Sequence, residues 1–246
     1  MNETIQVMLG HRSIRKFKDA PVAKEQLDVI IEAAQHASTS SNMQAFTVIR
    51  ITDAGLREQL AVLAGNQAYV SQCPEFLVWC ADLHRYERAG ARALPEGEEP
   101  RSTTENFIVA TVDAALAAQN AAVAAESLGL GIVYIGGLRN NPRQVSELLR
   151  LPQYVYPVFG MCIGVPDQEP LVRPRLPREA ILHENGYCEE RIDPAIDQYN
   201  VTLSDYMSER TNGKAATSWS QAMAAKKDAP RLHMREFLYG QGFRLE

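Results

Sequence analysis

The stretch NFIVATVDAALAAQNAAVAAESLG, residues 106–129, decides how this chain must fold. It is rich in alanine and other good helix formers, and Gly129 ends it. It is also apolar almost all the way round. A helix without a polar face belongs in a domain core or in a subunit interface. The neighbouring elements must therefore cover it.

Working outward, EFLVWCAD (75–82) reads as a buried strand between Pro74 and Asp82, and the β-branched FTVIRIT (46–52) as a second strand. PVAKEQLDVIIEAAQHA (21–37) places Leu27, Ile30, Ile31 and Ala34 at helical spacing, with Ala23 as a weak N-cap. LREQLAVLAG (56–65) is a helix closed by Gly65. STSSNMQ (38–44) is a polar loop, and AGARALPEGEEPRST (89–103), rich in Gly, Pro and charge, is a loop or mobile excursion. Beyond the long helix, GIVYIGG and VFGMCIGVP are strands with a helix between them. RPRLPREAILHENGY (173–187) opens basic and proline-rich, and from about residue 195 polar loops alternate with helical pieces such as APRLHMREFLYGQGF. This order points to a mixed α/β or α+β domain with one sheet flanked by helices. No internal repeat breaks residues 1–246 into copies.

The bulk numbers exclude several classes. With 25 basic and 30 acidic side chains the chain lacks the broad basic character of a general nucleic-acid binder. No stretch approaches the roughly 18 consecutive apolar residues of a membrane span, and the N-terminus has no secretory pattern. Cys73, Cys80, Cys162 and Cys188 have no CxxC spacing and read as small buried hydrophobes, which suits a reducing cytoplasm. GLGLGIVYIGG is not a dinucleotide fingerprint: its glycines follow a helix, and Tyr134 stands where a third glycine belongs. No P-loop, HExxH, paired-cysteine metal site or GxSxG elbow is present. His183-Glu184 reads as a solvated polar pair.

Against this acidic background GHRSIRKFK (10–18) stands out. Its guanidinium groups grip phosphate in a bidentate way, and Ser13 adds a neutral donor. Arg12 and Arg15, three residues apart, can face one ligand on a turn or a first helical turn. Alone, the run also suits a solvated basic face. Other stretches favour a ligand. STSSNMQ offers hydroxyls and amides, GNQAYV (65–70) sets Gln67 beside Tyr69, and in VYIGGLRNN (133–141) Gly136 and Gly137 let backbone approach a flat ring. RPRLP (173–177) adds two more guanidiniums.

The set HRSIRKF, SxSSNMQ, GNQAYV, AAESLGLG, YIGGLRNN, RPRLP and HENGY resembles the FMN-dependent nitroreductase family, over nearly the whole chain. Within it the chain is most similar to the oxygen-insensitive, NADPH-dependent nitroreductase A and NADPH:flavin oxidoreductase branch. The resemblance implies a single α+β domain with a central, mainly antiparallel sheet flanked by helices, in an intertwined homodimer with its sites at the subunit interface and residues 106–128 at the dimer core. It implies non-covalent FMN, with His11, Arg12, Ser13, Arg15, Arg173 and Arg175 at the phosphate and ribityl end. Thr39, Ser40 and Ser41 would come from the partner subunit. Gln67, Tyr69, Tyr134, Ile135, Gly136 and Gly137 would lie at the flavin ring. Arg210, in SERTN, would recognise the 2′-phosphate of NADPH, helped by Arg139 and Lys214. The activity implied is ping-pong, two-electron reduction of nitroaromatic compounds and quinones, with no catalytic side chain, no metal, no nucleic acid and no membrane. The alternatives are supply of reduced FMN to a partner oxygenase and a non-catalytic flavin-binding module. Arg173 stands where this branch commonly has lysine, and Thr39 interrupts a run that is often all serine. Glu105 either shapes the substrate pocket or is an exposed helix-start carboxylate.

Overall fold

Among the residues that the computed structural model describes, 1–95, 103–228 and 231–244, helices alternate with the strands of one sheet. The helices are α1 (Glu3–Leu9), α2 (Lys24–Gln35), α3 (Ala54–Leu63), α4 (Ala68–Gln72), α5 (His84–Ala93), α6 (Thr104–Ser127), α7 (Pro142–Leu148), α8 (Ile192–Arg210), α9 (Trp219–Ala224) and α10 (His233–Gly240). The strands are β1 (Phe46–Arg50), β2 (Glu75–Asp82), β3 (Gly131–Ile135) and β4 (Val155–Gly164), in the order β1-β2-β4-β3 with every neighbouring pair antiparallel. The chain divides into two compact units, Met1–Pro170 with Arg231–Glu246, and Leu171–Pro230.

The first unit is built in three layers. Side chains alternate across a strand, so Leu77, Trp79, Met161, Ile163 and Ile132 face one side and pack with α2 and α6. Phe76, Val78, Cys80, Cys162, Val133 and Ile135 face the other and pack with α3, α4 and α7. Both faces are covered, which is why EFLVWCAD is apolar without alternation. Every residue of β2 is buried.

Helix α6 starts where Thr103 accepts a hydrogen bond from Asn106 N, and ends before Gly129, which sits at φ +76°. Its buried positions are Val109, Ala110, Asp113, Ala114, Ala117, Ala118, Ala121, Ala122 and Ala125. They form two adjacent rows at four-residue spacing, and most are alanine, so the helix axis comes close to the sheet and to α2. The opposite face leaves Ile108, Val112 and Leu116 between 44% and 48% exposed. By length and composition α6 could also cross a membrane. Its buried stripe carries a carboxylate, Asp113.

In the second unit Tyr199 anchors α8, donating from its hydroxyl to Pro174 O at 2.7 Å and meeting Trp219 of α9 edge-on at 6.0 Å. The RPRLP segment itself is irregular.

Several sequence expectations need adjusting. Helix α2 begins at Lys24 as read, with Gln26 Oε1 accepting Ala23 N at 3.2 Å; that is half of a capping box, since alanine cannot supply the other half. Residues 89–93, expected in the excursion, are the last turns of α5, and 96–102 lie outside the described residues. The good helix formers of HRYERAGARA outweigh its single glycine, and Arg85 N donates to Asp82 Oδ1 at 3.4 Å. Cys73, Cys80 and Cys162 are buried, but Cys188 is half-buried in a polar turn, its thiol 3.2 Å from Glu190 Oε2.

The alanine stripe leaves no room for larger side chains. Ala118→Leu is expected to lower stability by about 1–3 kcal/mol, read as an earlier urea midpoint. An unchanged midpoint would show that α6 does not pack as described.

Candidate functional site

The HRSIR segment has no helical turn. It lies along β3, with Ile14 N donating to Ile132 O at 2.8 Å and Lys18 N to Val165 O at 2.9 Å. Gly131 makes this possible: a Cβ there would stand 2.5 Å from Ile14 Cγ1. The segment's cations then part company. His11 Nδ1 meets Glu126 Oε1 at 2.6 Å, and that carboxylate is only 12% exposed. Arg12 donates to Pro170 O at 3.3 Å and lies 3.7 Å from Glu169, rather than pairing with Arg15. Lys16 holds Asp167 at 2.6 Å, and that contact keeps the Asp167 carboxyl below its usual range. Arg15 is exposed and has no hydrogen bond or ion pair among the described residues. The basic cluster therefore has three carboxylates brought to it from distant sequence, and Arg15 and Lys18 are left without an ion pair among the described residues. A cavity of about 410 Å³ opens beside Arg12, Glu126 and Gly131.

The far end of β3 collects a second set. Gln67 Nε2 donates to Ala64 O at 2.5 Å, and the Tyr69 hydroxyl bonds to Gln67 Oε1. Gln67 lies beside Gly137, where a Cβ would overlap the Ala64 carbonyl oxygen and stand 2.5 Å from Gln67 Nε2. Tyr134 meets Phe159 edge-on at 5.0 Å and reaches Gln119 Oε1 at 3.4 Å. Burial, and then the charge of Glu126, push its phenol well above the usual range. Arg139 turns inward to the Val158 carbonyl. Burial and the neighbouring Arg231 cation lower its pKa. Ile14 docks on Ile132 near the start of β3 and Gln67 on Gly137, two residues past its end, so the two sets lie at opposite ends of this five-residue strand.

Thr39, Ser40 and Ser41 are not brought to either set within one chain. Their loop leads into β1, at the opposite edge of the sheet from β3. Ser40 N is tied to Asp113, whereas His11 is tied to Glu126, thirteen residues further along α6, which is about 20 Å of helix. Ser41, Asn42 and Gln44 have φ of 47°, 58° and 50°, a left-handed run that non-glycine residues rarely adopt.

In the second unit Arg173, Arg175 and Arg210 are exposed, as is Lys214. None of the four side chains has a hydrogen-bond or ion-pair partner among the described residues. Arg210 closes α8, and Lys214 follows in a turn whose Gly213 sits at φ +78°. His183 accepts Cys188 N at 2.8 Å and stacks on Tyr187, so the HENGY turn is locally tied.

Two residues that the motif reading passed over matter here, Glu126 and Asp113. Each is a mostly buried carboxylate beside the alanine-rich buried face of α6. A lone acid in such a stripe is itself a signal, because a buried charge must be hydrogen-bonded.

The profile of the Nitroreductase family matches residues 8–165, and that of the Nitroreductase family, C-terminal domain, matches residues 173–246. The chain belongs to the nitroreductase family. It is 44% identical to a Bacillus subtilis FMN reductase (NADPH), with 99% of each chain covered, and 42% identical to an oxygen-insensitive NADPH nitroreductase of Salmonella typhimurium, again with 99% of each covered. It superposes on the structure of NfrA2 from B. megaterium with a TM-score of 0.95 at 41% identity over 100% of both chains. The α+β fold, with its antiparallel sheet, is the fold of those neighbours.

Gly137→Ala tests the tight packing at the end of β3. The added methyl is expected to displace the Ala64–Gln67 hydrogen bond and lower stability by about 1–3 kcal/mol in urea unfolding. A variant as stable as the parent would mean that the Gln67 side chain is not held there.

Proposed function

We propose that this nitroreductase-family chain is an NADPH-dependent, FMN-containing oxidoreductase that reduces nitroaromatic compounds and quinones by two electrons in a ping-pong cycle. The observation that carries the proposal is the arrangement along β3: an unneutralised Arg15 near one end, and a glycine pair with an adjacent amide and phenol at the other. A ligand with an anion and a flat heterocycle fits that arrangement. The relatives named FMN reductase and NADPH nitroreductase supply the chemistry in their own names.

In this reading Arg15, Ser13, Arg12 and His11 bind the phosphate and ribityl end of FMN. Arg173 and Arg175 are assigned to phosphate binding on the RPRLP motif alone. Gln67 and Tyr69, fixed by each other, and the backbone of Tyr134, Ile135, Gly136 and Gly137 hold the ring. Gly137 keeps that backbone bare, so the ring can approach it closely. A bound FMN would supply the two-electron redox chemistry between NADPH and the acceptor. The protein's part is to orient and shield, and solvent can supply the protons.

The chain is proposed to act as a homodimer. The exposed ridge Ile108, Val112 and Leu116 is an apolar face of the kind that a second copy covers. Thr39, Ser40 and Ser41, remote from the β3 set in their own chain, would serve the other copy's flavin. Arg210 is proposed to bind the 2′-phosphate of NADPH, with Lys214 in support. Arg139 is the weaker helper, because its guanidinium is already engaged. Reduction of free FMN is a second reading, favoured by the B. subtilis relative's name.

Initial rates at several nitroaromatic concentrations should give parallel double-reciprocal lines against NADPH. Arg210→Ala should raise KM for NADPH at least about tenfold while moving KM for NADH little, as loss of a charged phosphate contact implies. Intersecting lines, or equal effects on both nucleotides, would contradict the proposal. Faster turnover of free FMN than of the nitroaromatic would select the second reading.

A further inference from the structure

Asp113 has no role in the binding motifs, yet it is 1% exposed on a helix stripe of alanines. Its two carboxylate oxygens serve one segment. Oδ1 accepts Ser40 N at 3.1 Å and Oδ2 accepts Ala45 N at 3.0 Å. Between those two anchors run Ser41, Asn42 and Gln44, all with positive φ. Three non-glycine residues in the left-handed region within four positions will not hold that shape unless the surroundings impose it. The side chains of Ser40, Ser41, Asn42 and Gln44 point into exposed positions. The loop is thus fixed from beneath by its backbone, and its hydroxyls are left for something else.

We propose that Asp113 is a positioning residue for flavin binding: it clamps both ends of the 40–45 loop and so sets where the Ser40 and Ser41 hydroxyls are presented. This inference rests on the proposed FMN reading. Both carboxylate oxygens are used, so the requirement is specific. Asparagine keeps one acceptor and turns its NH2 group against a backbone N–H. Glutamate adds a methylene where Ala110, Ala114 and Ala117 leave no space.

The test is the FMN dissociation constant of the full-length protein, measured by flavin fluorescence for parent, Asp113→Asn and Ala117→Gly. The last variant loosens the same helix without touching the loop. Asp113→Asn should weaken FMN binding about tenfold, the size expected for losing a hydrogen bond to a charged group, while Ala117→Gly should change it less than about twofold. If Asp113→Asn does not fold, Ser40→Pro against Ser40→Ala asks the same question from the loop side. Both remove the hydroxyl, but only proline removes the N–H bonded to Oδ1, at a position after the extended Thr39 where proline fits. Proline should then be the weaker binder by a similar factor. Equal FMN affinity in Asp113→Asn and parent, equal losses in Asp113→Asn and Ala117→Gly, or equal losses in the two Ser40 variants, would overturn the positioning role alone. A parent protein that takes up no FMN would overturn the flavin reading together with it.

Discussion

The close approach of α6 to the sheet is the constraint from which the rest of the first unit follows. Alanine at Ala117, Ala118, Ala121, Ala122 and Ala125 lets the helix sit directly over Trp79, Met161 and Ile132, and Ala110 and Ala114 pack in the cluster of Ala81, Leu83 and Tyr156. A helix this close can reach one segment from its middle and another from its C-terminal end with acidic side chains. Asp113 takes the serine loop leading into β1, and Glu126 takes His11 before β3. One packing decision therefore places two ligand-facing segments about 20 Å apart along a single rigid element.

Much of this was legible in the sequence. EFLVWCAD is a strand at the residues read, because a doubly covered strand needs an unbroken apolar run. The long helix was legible because nothing in it favours any other state. Less visible were the elements whose order comes from capping or from long-range contacts. Helix α1 buries no side chain and starts at Asn2, which accepts Ile5 N at 3.0 Å; an apolar-stripe reading cannot find it. Helix α3 begins two residues before the stretch assigned to it, because Asp53 caps Leu56 N. The five-residue α4 is too short for periodicity to register.

The site was legible as a set of motifs but not as a geometry. Gln67 and Gly137 were expected at one place, and packing brings them into contact. The basic run at 10–18 was read as one cluster waiting for one anion. Folding instead gives Arg12, Lys16 and His11 their own acidic neighbours, all more than 100 residues away, and leaves Arg15 and Lys18 without one. Local sequence holds no information about which of these five neighbouring basic side chains will be paired, since that depends on where Glu126, Asp167 and Glu169 arrive. The serine loop also could not be placed from its own residues. Its position is set by a carboxylate about 70 residues downstream.

The central claim is that this fold holds a flavin which NADPH reduces by two electrons. The most direct measurement is the visible absorption spectrum of the purified protein during an anaerobic titration with NADPH. The account expects an oxidised-flavin spectrum that bleaches fully and linearly at one equivalent of NADPH per flavin. A colourless protein that takes up no added FMN, or a yellow one that NADPH leaves unchanged, would contradict it.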